Sequence, residues 1–577
     1  MSSSPQTSNR TSPPDNLIDY ELTRLGTGMG VGWFSCIPRQ DLDFNTALEY
    51  GQEHPYDLFM HKHLLDMTSK LEPDEVEALL EKGKNGDPFL LALMWETCLH
   101  HEKHKSLNSR FDHFDIEQLA DYSPLISIRH SLEETSENSS CWLRCFAENI
   151  NMHKPMPPLE KMEAPIPVEQ EAVDKWHQKT CPIGKLSPSR KEPSPLPEKS
   201  VIKKAAKVVM KKLEQLGILE GWETRTEATL SPYAVERPWK MSIKVDAGRN
   251  RLRLAGTLTS FGRGLNIHQA RMSCYMEMAE RYSSFASFGS GRALGYKKEH
   301  RLVKERYENL VKNGIAVLDP NDMCLEVPYR NQELYWIEGE KVDEKGHSPI
   351  YVPAQLVFLF PNLDEMSLTS GLPSTGLGAG NSVEHARKSG LLEVIERDSE
   401  KVIPFSEDRG FLLESEDPMI IDIIEGSKHK GIHIRFLDIT SEFGIPCYRA
   451  FVQGPGGAIL KGSAAGLSGR HAAVASMTEI PYPYPYWFGS MKSPEGLKVL
   501  KYEDLPNFST GIPSEDLKLV EKVLISNGYS PIYVDLTRED LDIPVVKALV
   551  PGLEMTTVID RYTPVSLRQF GHYLNLS

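Results

Sequence analysis

Apolar residues recur at helical spacing through DLFMHKHLLDMTSKLEPDEVEALLEKG (residues 57–83), and Pro73 interrupts the series. Proline cannot continue a helix but starts one well. The Glu72-Pro73-Asp74 step therefore predicts one helix ending and another beginning. SVIKKAAKVVMKKLEQLG (200–217) predicts a further amphipathic helix, lysine-rich on one face and closed by glycine. Downstream the period changes. KMSIKV, NRLRLAGTL, IHIRFLDIT, PCYRAFVQ and PIYVDLT are short apolar-rich runs bounded by turn formers, which predicts strands. Strands mixed with helices over residues 200–577 predict an α/β (α+β) domain.

Two segments lack any such period. Residues 1–15 are small, polar and proline-containing, which predicts a disordered tail. Residues 154–199, with KPMPPLEKMEAPIPVEQ and CPIGKLSPSRKEPSPLPEKS, are rich in proline and charge. They predict a semi-extended linker. It would separate a mostly helical N-terminal domain (16–153) of unassigned role from the large domain at 200–577.

Within that domain a pattern occurs twice. GRGLNIHQARMSCYMEMAER (262–281) and GAGNSVEHARKSGLLEVIER (378–397) share two glycines, Ala-Arg, a serine, two glutamates three apart and a final arginine. Each reads as a loop feeding a helix. The glycines permit close backbone approach and unusual dihedrals, and a glycine-rich turn at a helix start offers N–H donors to an anion. Glu277 and Glu280 share one helix face, as do Glu393 and Glu396. For one copy alone, a solvated acidic face is the ordinary explanation.

Two copies in register change the balance. If the repeats pack side by side, four carboxylates converge, and they need divalent cations or arginines to persist. An oxygen-rich set suits Mg²⁺ bridged to phosphates, with Arg281 and Arg397 to balance the acids or clamp phosphate. The residues alone thus point to a Mg-nucleotide site between duplicated helices.

The formal net charge of −15 argues against a general nucleic-acid or anionic-membrane binder. No run of some 18 apolar residues predicts a spanning helix, and MSSSPQTSNRTSPP lacks a signal-peptide core. The eight cysteines show no framework spacing. A cytoplasmic protein with reduced thiols is expected.

STGLGAGNSVEHARKSGLLEVIERDSEK resembles the signature of YcaO-domain proteins, and SCYMEMAERYSSF resembles their first Ser-x-x-x-Glu-x-x-Glu-Arg motif. YVDLTREDLDIPVVKALVPGLE adds further matches. The resemblance covers roughly residues 200–577, with core motifs in 260–577. It implies a YcaO-type domain of duplicated strand–helix halves that binds ATP and Mg²⁺. Glu277, Glu280, Glu393 and Glu396 would hold the metal against the phosphates. Asn381 and Arg397 are expected to contact the nucleotide. Ser273 lies in the first motif, and Arg263 stands where relatives often carry lysine.

Such enzymes activate a peptide backbone amide: a nucleophile adds, the amide oxygen is phosphorylated, and loss of phosphate leaves an azoline, amidine or thioamide. The partners implied are a peptide or protein substrate, a protein for substrate docking or sulfur delivery, and a second copy of the chain. A non-catalytic accessory or docking protein is the alternative, because the sequence departs from the pattern twice. His385 follows Glu384 where many relatives have a second glutamate, so Glu384 would have to substitute. The third motif should be Glu-x-x-Gln-x-Arg. Glu479 fits its start, but Tyr482 and Tyr484 follow, which leaves Arg470 or another arginine to supply the charge.

PYPYPYW (481–487) reads as a rigid aromatic turn, with a stacking wall as the alternative. The Cys98, His100, His101, His104 and His113 group matches no standard zinc spacing.

Overall fold

The computed structural model describes residues 17–25, 33–133, 137–162, 164–190, 199–226, 230–371, 374–453, 458–481, 496–559 and 563–575. The described residues start with two strands, β1 (Ile18–Leu25) and β2 (Trp33–Pro38), before the expected helices appear. Helix α1 (Leu58–Thr68) is capped by Asp57, which accepts from the Phe59 and Met60 amides. It ends five residues before Pro73, where the next helix starts. The apolar helix α2 (Pro88–His100) is buried on nearly all sides.

The proline-rich stretch departs from expectation. Its residues 170–179 form α3 (Gln170–Lys179), with Val173 buried against Trp142, Phe146, Phe570 and Tyr573. The Ile183 amide donates to the Phe443 carbonyl at 2.7 Å. Proline spaced among Met, Val, Ile and Trp left enough apolar surface to pack, so this segment is docked rather than semi-extended. Helix α4 (Lys199–Gln215) follows.

Three sheets carry the rest. The first holds a long hairpin, β3 (Tyr233–Ala247) and β4 (Asn250–Gly264), whose β3 arm alternates buried and exposed positions. It feeds α5 (Ile267–Ser284). The second sheet includes the hairpin β5 (Glu333–Asp343) and β6 (Gly346–Pro353), and the short strand β7 (Leu377–Ala379), which feeds α6 (Val383–Val402). The third holds β8 (Gly410–Glu414), β9 (Arg435–Asp438), β10 (Cys447–Gln453) and β11 (Ile459–Ala465), and β11 feeds α7 (Gly469–Thr478). Strand β12 (Lys498–Lys501) completes that sheet in the order β11-β10-β9-β8-β12. β13 (Ile532–Asp535) and β14 (Val545–Leu549) complete the second, in the order β6-β5-β13-β14-β7. Helix α8 (Leu567–Leu574) closes the described chain.

The N-terminal block is not separate from this architecture. β1 runs parallel to β4, from Ile18 opposite Leu252 to Glu21 opposite Ala255, so both belong to one sheet. Arg253 grips Asp19 with two hydrogen bonds of 2.8 and 2.7 Å across that joint. A polar strand such as IDYELTRL carries no sequence sign of its distant partner. Among the described residues, no helix is long and apolar enough to cross a membrane.

Candidate functional site

Three strand–helix units meet at the centre of the fold. Each has a capping side chain between strand and helix. Asn266 Oδ1 accepts from the His268 and Gln269 amides, Ser382 Oγ from the His385 amide, and Ser468 Oγ from the His471 amide. Eleven residues after its cap, each unit delivers a glutamate: Glu277, Glu393 and Glu479. The duplicated motif is thus accompanied by a third, diverged copy. The units also interlock. α5 packs against β7, α6 against β11 and α7 against β4, which closes them into a ring.

The repeated glycines have a steric cause. A side chain at Gly262 would begin 2.0 Å from the Ala270 carbonyl oxygen, and one at Gly378 would begin 2.3 Å from that of Ala386. Gly264 and Gly380 are equally tight, at 2.6 Å from Gln269 Cβ and from the Ala386 amide. Each pair lets its helix lie directly on its strand. None of the four has a positive φ, so close approach rather than unusual dihedrals requires them.

The acids face one another across the ring. Glu277 accepts from the Phe261 amide at 2.8 Å and Glu393 from the Gly376 amide at 3.1 Å, so each carboxylate is tethered to backbone near its own strand. Burial pushes Glu280 up to about 8. Glu393 and Glu277 add to that shift, while Arg281 and Lys547 oppose it. Burial also raises Glu277, against the pull of Arg281 and Arg263. Glu396 is held well above the carboxylate range by burial and by Glu479, Glu400 and Glu393, against Arg397. Glu479 is solvent-exposed, yet desolvation raises it as well, with Glu400 and Glu393 adding to the shift against Arg263 and Arg397. Its head stands in a recess that water reaches and protein surrounds.

Positive charge is interleaved with this set. Arg281 lies 3.7 Å from Glu280 and Arg397 lies 3.5 Å from Glu396. Arg397 also bonds Glu400 at 2.8 Å. Burial works against ionisation of Glu400, but Arg397 and Arg449 hold it below the usual range. Arg263 Nε is buried with no hydrogen-bond partner among the described residues, and its charge reaches both Glu277 and Glu479. Lys547 is buried in β14 and lowered by that burial to about 8. Its ammonium donates to the Thr375 carbonyl at 2.7 Å. Among the described residues no three His, Cys, Asp or Glu side chains are gathered in a cage for a metal ion.

Other expected site residues lie on the rim. Ser273 is exposed, one turn before Glu277 on the same helix face. Asn381 and Glu384 are exposed at the start of α6. Nine residues separate Glu384 from Glu393, about 13 Å along the axis, so Glu384 does not join the ring. Asn381 is engaged with His385 at 2.9 Å. Arg470 donates to the Glu503 carbonyl and lies over the Tyr502 ring, turned away from the acids. Tyr482 and Tyr484 lie outside the described residues.

Glu400 and Lys547 were missed from sequence. Glu400 follows Glu393 and Glu396 at three-four spacing, so helical periodicity alone could have named it. Lys547 is a single charge in the apolar strand VVKAL, an equally readable signal.

A cavity of about 640 Å³ reaches the ring at Glu277 and Arg281. Its other walls include Arg24 and Phe34 of the N-terminal strands and Leu58, Phe59 and Lys62 of α1.

Residues 261–481 and 486–554, just over half of the chain, match the family model described as YcaO cyclodehydratase, ATP- and Mg²⁺-binding. An uncharacterized protein of Methanothermobacter thermautotrophicus is 27% identical over 338 residues, which span 52% of this chain and 82% of that protein. Among solved structures, a heterocyclase in complex with substrate and cofactor aligns at 17% identity and a TM-score of 0.48. The alignment covers 63% of this chain but only 56% of that one. YcaO from Methanopyrus kandleri, bound with AMPPCP and Mg²⁺, aligns at 21% identity and a TM-score of 0.46, covering 63% of this chain and 94% of that one.

Proposed function

The chain belongs to the YcaO family, and from that membership we propose that it activates a backbone amide of a peptide or protein by phosphorylating the amide oxygen, leading to an azoline or a thioamide. ATP and Mg²⁺ are its cofactors. The observation that carries the reading is the ring of glutamates, from three separate strand–helix units, with arginines set between them.

The donor set fits these cofactors. It is all oxygen, and burial drives Glu277, Glu280, Glu396 and Glu479 toward protonation for want of positive charge. Mg²⁺ needs only one or two carboxylates when phosphates and water complete its shell, so a cage of three is not required. Glu277, Glu280, Glu393 and Glu396 would hold the metal. Arg263 and Arg397 would meet phosphate oxygens, with Glu479 beside them and Ser273 at the rim. When bound, Mg-ATP supplies the phosphoryl group that makes the amide oxygen a leaving group.

The chain's own contribution is positioning and charge, the two effects that dominate phosphoryl transfer. Glycine-tight packing fixes each glutamate relative to its strand. Arg397, tied to Glu400, presents a guanidinium that cannot swing away. Lys547 holds an ammonium against Glu393 and Glu280 and limits their mutual repulsion. The thioamide branch calls for a sulfur-delivering partner, because the sequence has no Cys-x-x-Cys pair of its own.

Release of ADP and phosphate, with and without candidate peptides, tests the reading on wild type and Glu396→Ala. Turnover in wild type and its loss in the variant are expected. A peptide that loses water identifies an azoline, and one that exchanges oxygen for sulfur identifies a thioamide. No binding of nucleotide at millimolar Mg-ATP would refute the assignment.

A further inference from the structure

The 640 Å³ cavity has two kinds of wall. One is aromatic. Phe360 is held at φ +50°, a conformation bulky residues rarely adopt, and its ring touches three others. Phe285, at the end of α5, stacks on it at 6.1 Å, while Phe34 and Phe59 of the N-terminal block approach at 6.4 and 6.5 Å. The strand–helix core and the N-terminal block thus share one apolar surface.

The other wall is charged, and its accounts do not balance. Arg281 faces Glu280, and Lys401 faces Glu554 at 2.9 Å. Both oxygens of Glu326 serve Ser370, and Glu365 accepts from the Tyr335 amide and Gln355. Lys62 has no carboxylate partner among the described residues. Its helix neighbour Asp66 is taken by Lys70 at 2.7 Å. A second cavity of about 410 Å³ shares Lys62, Leu125 and Ser370 with the first, so Lys62 stands where the two meet.

We propose that this chamber receives the substrate, as a peptide segment bearing large apolar side chains and a carboxylate that Lys62 binds. The proposal rests on the amide-activation reading. It gives the N-terminal block a role, as the wall that selects the segment presented to Glu277 and Arg281. Lys62 is solvent-accessible where the two cavities meet, so its ammonium is open to a ligand's carboxylate at the edge of the apolar space. The phenylalanine wall favours side chains of matching character. The carboxylate belongs to a chain terminus or to an aspartate or glutamate side chain.

Three probes separate these sources: acetyl-Phe-Leu-Gly-Phe as the free acid, the same peptide as the C-terminal amide, and acetyl-Phe-Leu-Asp-Phe amide. Each is titrated calorimetrically into the full chain as wild type, Lys62→Arg and Lys62→Met. One carboxylate-bearing peptide is expected to bind about tenfold tighter than the neutral amide to wild type and Lys62→Arg, the size of a charge-assisted hydrogen bond. That advantage should vanish in Lys62→Met, and the form that carries it names the source. Equal binding of all three to wild type, no binding of any, or an advantage that survives in Lys62→Met overturns the proposal. The same samples are titrated with Mg²⁺ and a non-hydrolysable ATP analogue, where Lys62→Met should match wild type. Failure of wild type in that second titration overturns the nucleotide reading and leaves the peptide result standing.

Discussion

Glu393 on α6 drives the carboxyl of Glu280 on α5 further toward protonation, on top of what burial does, although the two belong to different helices. The pH dependence of stability follows. An unfolded glutamate titrates near about 4.3, whereas folded Glu280 holds its proton to about 8, and Glu277, Glu396 and Glu479 are shifted the same way. Between those limits the folded state binds more protons than the unfolded one. Stability from these groups is therefore full below about pH 4.3 and is lost as pH rises through the folded values. In thermal melts of the nucleotide-free protein, the contribution of these groups to Tm should fall from pH 5 to 8. Glu365, also raised to about 8 by burial, gives the same slope, while His153 and Lys461, lowered by burial to about 3 and about 7, give the opposite one, so the informative quantity is the difference between proteins. The double variant Glu280→Gln, Glu396→Gln should fall less steeply. Equal slopes would refute the coupling.

The repeated glycines should be intolerant of any side chain. At Gly262 and Gly378 the atoms in the way are backbone carbonyl oxygens, which cannot rotate aside. Gly262→Ala and Gly378→Ala are each expected to destabilise by about 1–3 kcal/mol, as overpacking does. Gly426 lies inside a helix with nothing within 4 Å of an added Cβ, so Gly426→Ala should be neutral or stabilising by up to about 1 kcal/mol. Urea unfolding of the three variants distinguishes packing from a backbone phosphate loop. A loop would lose nucleotide affinity while stability held.

How much of this was legible in the sequence depends on the range of the interaction involved. The helix break at Pro73 and the two glutamate pairs are local patterns, and the chain shows them directly. The register of the twin motifs also gave the glycines, although it suggested dihedral freedom where the cause is contact with Ala270 and Ala386. Non-local pairing was not legible. Nothing in IDYELTRL names β4 as its neighbour, and the prolines of 154–199 concealed Val173 and Trp176, which cover the last helix. The third unit was hidden because only one glycine (Gly466), its cap, Ala472 and Glu479 survive at the shared spacing, and a single glutamate makes no pattern.

The last helix should matter to the ring although it touches none of its glutamates by hydrogen bond. Arg568 on α8 grips both oxygens of buried Asp398, two residues beyond Glu396, and also bonds Glu442 at 2.7 Å. Arg568→Met would leave Asp398 buried without its cation and Glu442 with only His572 as a partner, a loss of about 3–5 kcal/mol. Chemical denaturation should register that loss. Wild-type stability in the variant would mean that α8 is not a structural latch on α6.

Two arginines compete for the charge that the third motif lacks, and their surroundings decide between them. Arg470 is held by the Glu503 carbonyl and the Tyr502 ring and shifts none of the ring's glutamates, although its Nε, like that of Arg263, is buried without a partner among the described residues. Arg263 has an idle buried Nε and lies within electrostatic reach of Glu277 and Glu479, on two different units of the ring. A guanidinium with unused donors beside carboxylates is the group prepared for phosphate oxygens. Arg263→Met should therefore weaken binding of a Mg²⁺-complexed ATP analogue about tenfold or more, as loss of a charge-assisted hydrogen bond does. Arg470→Met should change that affinity less than about threefold, within the span of a surface substitution. Removing Arg263 also strips a cation from Glu277 and Glu479, so their proton affinity should rise and the binding loss should deepen as pH falls. Calorimetric titration of both variants at two pH values measures all of this. If the larger loss falls on Arg470→Met, Arg470 supplies the phosphate contact and Arg263 is only a counter-charge to the acids.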